Sequence, residues 1–394
     1  MAAPPLTGIT VISLEHAIAA PLCTRQLAEL GARVIKIERR GSGDFARYYD
    51  TRVKGQSSHF IWTNRSKQSL TLDLKHSDAE LILQRLLAQA DVLVQNLAPG
   101  SAAKMGLDFV TLHAKFDQLI ICNISGYGES GPYQQKKAYD LLVQAEAGFL
   151  STTGTPEDMA KSGISTADIA AGMQAHAAIL AALIQRSRTN KGSEITISML
   201  EAMVEWMGYP LYYSYDGAAP PPRSGTDHAS IFPYGAFISS DEKILMLGIQ
   251  NEREWQSFCT QVLQKEELAA DVRFADNAAR SSNRAELRLI IEAIFATVSE
   301  TQLTQLLDTA QIAYARVNDM HAVWDHPQLK ALDRFVNVQT PAGVVSGLKP
   351  PGNNSSFAPA LGPVPAIGEH TRAILSELGF EEKTIDGFFR DGVV

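Results

Sequence analysis

The sequence predicts an α/β protein: an open parallel sheet in a large domain, with a smaller α+β domain after it. Three observations predict this. Residues 9–38 read strand, helix, strand. Short apolar strands then alternate with helices as far as residue 124, and a proline-rich break at 215–227 precedes a second group of strands and helices. Strands that alternate with helices pair in parallel through right-handed crossovers, because a parallel neighbour can be reached only by crossing over the sheet.

The first strand is the apolar run 9–14. The helix 19–30 stops at Gly31, and RVIKIE (33–38) returns as the second strand. Residues 77–90 carry apolar positions at helical spacing and lead into a strand at 91–95. A short helix over 102–105 and a strand at 118–124 extend the alternation, a Rossmann-like rhythm. In such sheets ligands bind beyond the carboxyl ends of the strands; here those loops are 38–47, 96–100 and 125–132. After a long helix come a strand at 194–198 and a helical stretch at 199–213. Three consecutive prolines make 215–227 an extended linker. The second region has strands at 234–238, 244–248 and 312–317, with helices at 252–263, 283–298 and 301–309. Residues 340–368 hold six of the eighteen prolines and read as a long irregular return to two closing helices at 369–378 and 381–389. The expected division is therefore a large domain from 1–214, the linker 215–227, a small domain from 228–325, and a tail, 326–394, that completes the large domain.

A length of 394 residues allows two or three domains, each with a good core. A net charge of −8 argues against a general nucleic-acid binder. The charge is uneven: residues 1–75 carry eleven Lys/Arg against six Asp/Glu. That basic stretch suits an anionic ligand or a solvated face. Cys23, Cys122 and Cys259 form no close pair, so neither a disulfide framework nor a metal site is expected. No secretion signal is read at the N-terminus, and a cytoplasmic setting without membrane association is the expectation.

The stretch 161–188 organises the chain. Between Ile169 and Ile184 it has no charged residue and is apolar around the whole wheel, which predicts a helix buried on all sides. Gln174 and His176 interrupt it, short of a membrane span. His176 reads as a satisfied core histidine. Asp168 stands alone at the N-terminal end, where the helix dipole favours a negative charge, so it is expected to stay ionised. Ser165-Thr166-Ala167-Asp168 also fits a capping box with Ser165 as N-cap, and on pattern alone capping is the commoner reading.

Gly126-x-Gly128-x-x-Gly131 matches a dinucleotide fingerprint, but Pro132 follows and no helix opens at the third glycine. A flexible glycine loop is the better reading. Arg223 and His228, just past the prolines, could meet a substrate carboxylate or simply be polar loop residues.

The segments GITVISLEHAIAAPLCTRQLAELGARVIKIERRGSGDFAR, NRSKQSLTLDLK, ADVLVQNLAPGSAAKMGL, CNISGYGESGPY, KKAYDLLVQAEAGF, STADIAAGM and IGEHTRAILSELGF occur in this order. In order and spacing the chain resembles the family III CoA-transferases, which include formyl-CoA transferase, carnitine CoA-transferase and the α-methylacyl-CoA racemases. The resemblance implies an interlocked homodimer and no tightly bound cofactor, with acyl-CoA and a carboxylic acid as small-molecule substrates. It implies Asp168 as nucleophile, attacking an acyl-CoA thioester to give a mixed anhydride and then an aspartyl-CoA thioester. It places CoA contacts at Ile18, Ala19, Arg39, Leu72, Lys75, Asn96, Leu97, Lys104 and Lys137. Leu97-Ala98 stands where a basic residue sometimes occurs, and Ile18 where some members are polar. The racemase branch uses a histidine before the aspartate of the pair that reads Tyr139-Asp140 here. Tyrosine is a poor proton acceptor at neutral pH, which favours transfer over racemisation. The resemblance points to short dicarboxylates, such as succinyl-CoA with citramalate, malate, itaconate or mesaconate, with Arg47, Arg223 and His228 for the second carboxylate. A racemase, or a CoA-binding protein without turnover, is the alternative.

Overall fold

The computed structural model describes residues 2–394 and divides into two compact units. The first comprises Met1–Phe149, Ser162–Tyr209 and Leu329–Val394; the second comprises Leu150–Lys161 and Pro210–Gln328. Residues 150–161 thus belong with the second unit, and the break falls at Pro210, before the prolines.

The first unit is built on six parallel strands: β1 (Thr10–Leu14), β2 (Arg33–Glu38), β3 (Lys67–Thr71), β4 (Val92–Gln95), β5 (Ile120–Ser125) and β6 (Glu194–Ser198). Their spatial order is β3-β2-β1-β4-β5-β6. The direction of winding reverses between β1 and β4, so a crevice opens there at the carboxyl ends of the strands. The sheet buries both faces. Val11, Val34, Val92, Val94, Ile120 and Cys122 face the helices Ala19–Glu29 and Thr166–Thr189. Ile12, Ile35, Leu93 and Ile121 face Ala79–Leu87 and the closing helices Thr371–Glu377 and Glu382–Asp391. Burial on both faces explains why β1, β2, β4 and β5 read as largely apolar runs.

Three expectations fail in this unit. The Thr166–Thr189 helix buries Ala167, Ala170, Ala171, Gly172, Ala175, Ile179 and Ala182 but leaves Met173, Ala177 and Ile184 exposed, so it is buried on one face only. By length and composition it is apolar enough to cross a membrane, yet that one face is core. The strand β3 and the helix Ser58–Asn64 were not expected, because KQSLT has no apolar alternation; its buried Lys67 and Ser69 are held by partners inside. The proline-rich return contains a hairpin, β10 (Phe335–Thr340) with β11 (Gly343–Leu348), whose tight turn uses Gly343 at φ +99°.

The second unit carries the antiparallel sheet β7 (Tyr234–Ile238), β8 (Ile244–Gly248) and β9 (Ala313–Arg316). Phe237, Leu245 and Leu247 pack with Trp255, Phe258, Ile291 and Phe295 from the helices behind it.

Candidate active site

The site forms where the sheet's winding reverses. From β1 the chain runs through Glu15, His16 and Ala17 into the helix Ala19–Glu29, and from β4 through Asn96 and Leu97. Asn96 ties the two together: its Oδ1 accepts from the His16 N–H at 2.9 Å, and its amide donates to the His16 carbonyl at 2.9 Å. Ile18 and Ala19 are buried; Asn96 and Leu97 are half-buried.

Asp168 meets this crevice from the first turn of Thr166–Thr189. The two helices cross closely at Gly172, where a Cβ would lie 2.6 Å from the Ala19 carbonyl oxygen. Through that crossing the Ala19 N–H comes near enough to the Asp168 carboxylate to favour its ionised form. Two helix N-termini therefore converge on one half-buried carboxyl.

Asp168 does not cap its helix in a box with Ser165, which makes no side-chain capping bond. Asp140 is the cap. Its Oδ1 accepts from the Ala167 N–H at 2.8 Å and the Asp168 N–H at 3.2 Å. Gln144, itself buried, fixes Asp140 through a 2.6 Å bond and also accepts from the Ser162 N–H. The loop from β5 reaches this position because Gly126 lets Ala138 approach to where a Cβ would be 2.1 Å from the alanine's own. The same loop settles the glycine motif: Gly128 and Gly131 are turn residues with positive φ, and the next helix, Asp140–Glu146, starts nine residues after Gly131.

Borrowing its cap leaves the Asp168 side chain free for chemistry and raises its affinity for a proton. Burial, followed by the charge of Asp140, pushes the Asp168 carboxyl up to about 7, with the Ala19 N–H pulling the other way. The helix dipole therefore does not keep it fully ionised at neutral pH, contrary to expectation: desolvation outweighs a dipole term of about 1 kcal/mol. Tyr49 lies close by; burial and the charges of Asp44 and Asp168 push its phenol up to about 12.

The other expected contacts sit on loops at the same edge of the sheet. Arg39 follows β2, Leu72 and Lys75 follow β3, Lys104 ends the Ser101–Lys104 helix after β4, and Lys137 precedes Asp140. Leu72 is buried, while Arg39, Lys75, Lys104 and Lys137 are exposed. The basic stretch is thus only partly a surface: Arg25, Lys36, Arg65 and Lys67 are buried in ion pairs. Arg47 is engaged by Glu38, with Nε at 2.9 Å and Nη2 at 2.7 Å, and stacks over Phe60. Arg223 and His228 lie in the second unit. There Arg223 donates to the Thr155 and Pro156 carbonyls, and His228 stacks on Tyr234. His176 is not a satisfied core histidine: its Nε2 is buried without a partner.

Asp140 and Gln144 carried no sequence signal beyond the Tyr-Asp pair, because capping from a distant helix leaves no spacing pattern. Lys36 did carry one, as a lone charge inside the apolar strand RVIKIE, where a lysine persists only if paired.

The model of CoA-transferase family III matches residues 6–371. The chain belongs to the family III CoA-transferases. It is 33% identical to the succinyl-CoA:glutarate CoA-transferase of Mus musculus, covering 99% of this chain and 90% of that one. It is 32% identical to the succinate–glutarate CoA-transferase of Agrobacterium fabrum, covering 97% of each. Among solved structures it superposes on a CaiB/BaiF family protein from Brucella suis with a TM-score of 0.86, at 33% identity over 96% of this chain and 100% of that chain. This CoA-transferase therefore shares the family's fold across its two units.

Proposed function

We propose that this enzyme moves CoA between short dicarboxylic acids by covalent catalysis at Asp168. The observation that carries the reading is the half-buried Asp168 carboxyl at the start of a helix that crosses closely over Ala19, where the sheet's winding reverses. In its ionised form an Asp168 oxygen attacks the thioester carbonyl; the C–S bond breaks and CoA leaves as thiolate, giving a mixed anhydride. The thiolate then attacks the aspartyl carbonyl, releasing the donor acid as its carboxylate and leaving aspartyl-CoA thioester. An acceptor carboxylate displaces the thiolate, and the thiolate in turn attacks the acceptor's carbonyl. The new acyl-CoA leaves and Asp168 is regenerated. Each step conserves the activation of the thioester, and a backbone N–H at the carboxyl can stabilise the oxygen on which charge develops.

Arg39, Lys75, Lys104 and Lys137 supply cations for the phosphates of CoA, while Ile18, Ala19, Leu72, Asn96 and Leu97 line its path. Of the residues expected to meet the second carboxylate, Arg47 is left out because Glu38 already occupies its fork. The relatives that act on succinyl-CoA and glutarate support the dicarboxylate class. The Tyr139 hydroxyl in place of a histidine supports transfer over racemisation. Three buried, unpaired cysteines suit a reducing, cytoplasmic setting, and the exposed apolar stripe on Thr166–Thr189 suits a homodimer.

Incubation with succinyl-CoA and hydroxylamine, followed by mass spectrometry, tests the reading. The expected product is a hydroxamate on the peptide containing Asp168, with turnover lost by ~10³-fold or more in Asp168→Asn. An unmodified peptide from protein that binds CoA would sink it. A panel of glutarate, citramalate, malate, itaconate and mesaconate as acceptors then ranks the acids.

A further inference from the structure

The turn that delivers Ala19 to Asp168 is strained. Ala17 has φ +61°, a left-handed conformation that costs a non-glycine residue roughly 1–2 kcal/mol. Such a turn persists only when its surroundings over-determine it. On one side Asn96 holds both the N–H and the carbonyl of His16. On the other, the Ala17 N–H donates to Asp44 Oδ1 at 3.2 Å.

Asp44 is itself fixed by three bonds. Its Oδ2 accepts from Lys36 Nζ at 2.8 Å, its Oδ1 from the Ala46 N–H at 2.9 Å, and its own N–H donates to Glu38 Oε1 at 2.9 Å. Lys36 is fully buried and shared with Glu15 at 3.3 Å; Glu15 is anchored by Lys67 at 2.7 Å and Thr24 at 2.6 Å. Burial alone would raise the Glu15 carboxyl, but the ammonium groups of Lys67 and Lys36 bring it down to about 2, so the network stays charged. A buried ionic network of this kind is a poor way to gain stability, since apolar side chains of the same volume often do as well. Its place, within a few residues of Ala19, gives it another use.

We propose that Asp44, held by Lys36, is a positioning residue: it locks Ala17 in the left-handed turn and so keeps the Ala19 N–H aimed at Asp168. Asp44 touches none of the reacting atoms. Its effect reaches the chemistry through one peptide direction, and a misplacement of about 1 Å there can cost ~10²-fold in rate. The inference rests on the proposed role of Asp168, and one of its tests is independent of turnover.

Three variants test it: Asp44→Asn, Ala17→Gly, and the two together. Asp44→Asn is expected to lower kcat by about 10- to 100-fold with KM for acyl-CoA little changed. It should also move the pH midpoint of acylation upward, because the Ala19 N–H no longer supports the ionised carboxylate. Glycine adopts the left-handed turn without a clamp, so the double variant should recover much of both losses. Equal losses with alanine or glycine at 17, or a lowered Tm with an unmoved midpoint, would show a merely structural aspartate. If Asp44→Asn does not fold, Ala17→Val probes the same turn with the ionic network intact and should reproduce the rate loss and the midpoint shift. In the free protein with ¹⁵N-labelled alanine, the Ala19 amide resonance should titrate with Asp168, and lose that response in Asp168→Asn and in Asp44→Asn. A normal response in Asp44→Asn overturns the inference even if transfer is confirmed. Absent turnover with the response as described overturns the proposed reaction and leaves the positioning intact.

Discussion

At Asp168 two electrostatic effects oppose one another, and burial prevails. The carboxyl lies at two helix N-termini, yet desolvation and Asp140 push it up to about 7, against 3.8 for an ordinary aspartate. Between about pH 4 and pH 7 the folded protein keeps a proton that the unfolded chain has released. Stability from this group therefore falls as pH rises through that window and stays low above it. Asp168→Asn cannot titrate, so its urea stability should gain on the wild type from pH 4 to pH 8, by at most ~4 kcal/mol. A constant difference between the two proteins across that range would contradict the shift. The residue itself was legible in the sequence as a lone acid opening an apolar helix. Its protonation was not, because Asp140 is 28 residues away along the chain and reaches it only after folding.

Among the elements, the helices Ala19–Glu29 and Thr166–Thr189 cross with little room to spare. A Cβ on Gly172 would meet the Ala19 carbonyl at 2.6 Å and the Leu22 Cβ at 3.3 Å. Gly172→Ala should gain ~1 kcal/mol of helix propensity and lose ~1–3 to overpacking, a net destabilisation in urea. It should also cost activity, since the backbone it displaces presents the Ala19 N–H; unchanged stability together with unchanged turnover would refute the tight crossing. Strands with an apolar run or a clean alternation, such as β2, β6, β7 and β8, were legible to the residue. β3 was not, because KQSLT shows neither alternation nor a sustained apolar run; the β10–β11 hairpin was not either, because Pro341 and the prolines that follow it mask the alternation of FVNVQT. The Thr166–Thr189 helix was legible as a helix but misread as buried all round. Small and apolar residues on every side do not reveal which face the rest of the chain will cover.

For the whole molecule, the stripe of Met173, Ala177 and Ile184 is a feature that a single chain leaves unexplained. Met173 is 48% and Ile184 57% exposed, on a helix whose opposite face is core. Apolar side chains at helical spacing mark a contact face. Light scattering is expected to give a dimer for the wild type, and Ile184→Asp should shift it toward monomer. A monomeric wild type would remove the proposal of a homodimer.

Residue order alone carries the α/β alternation, the family and the single acid at the helix start, as periodicity, motif spacing and an isolated charge. Tertiary structure decided which groups act on that acid. The strand order brings the ends of β1 and β4 side by side, a remote aspartate takes over the cap, and a buried lysine–aspartate pair holds a left-handed alanine. Those contacts join residues far apart along the chain, and through-space electrostatics and packing leave no periodic trace in a linear sequence.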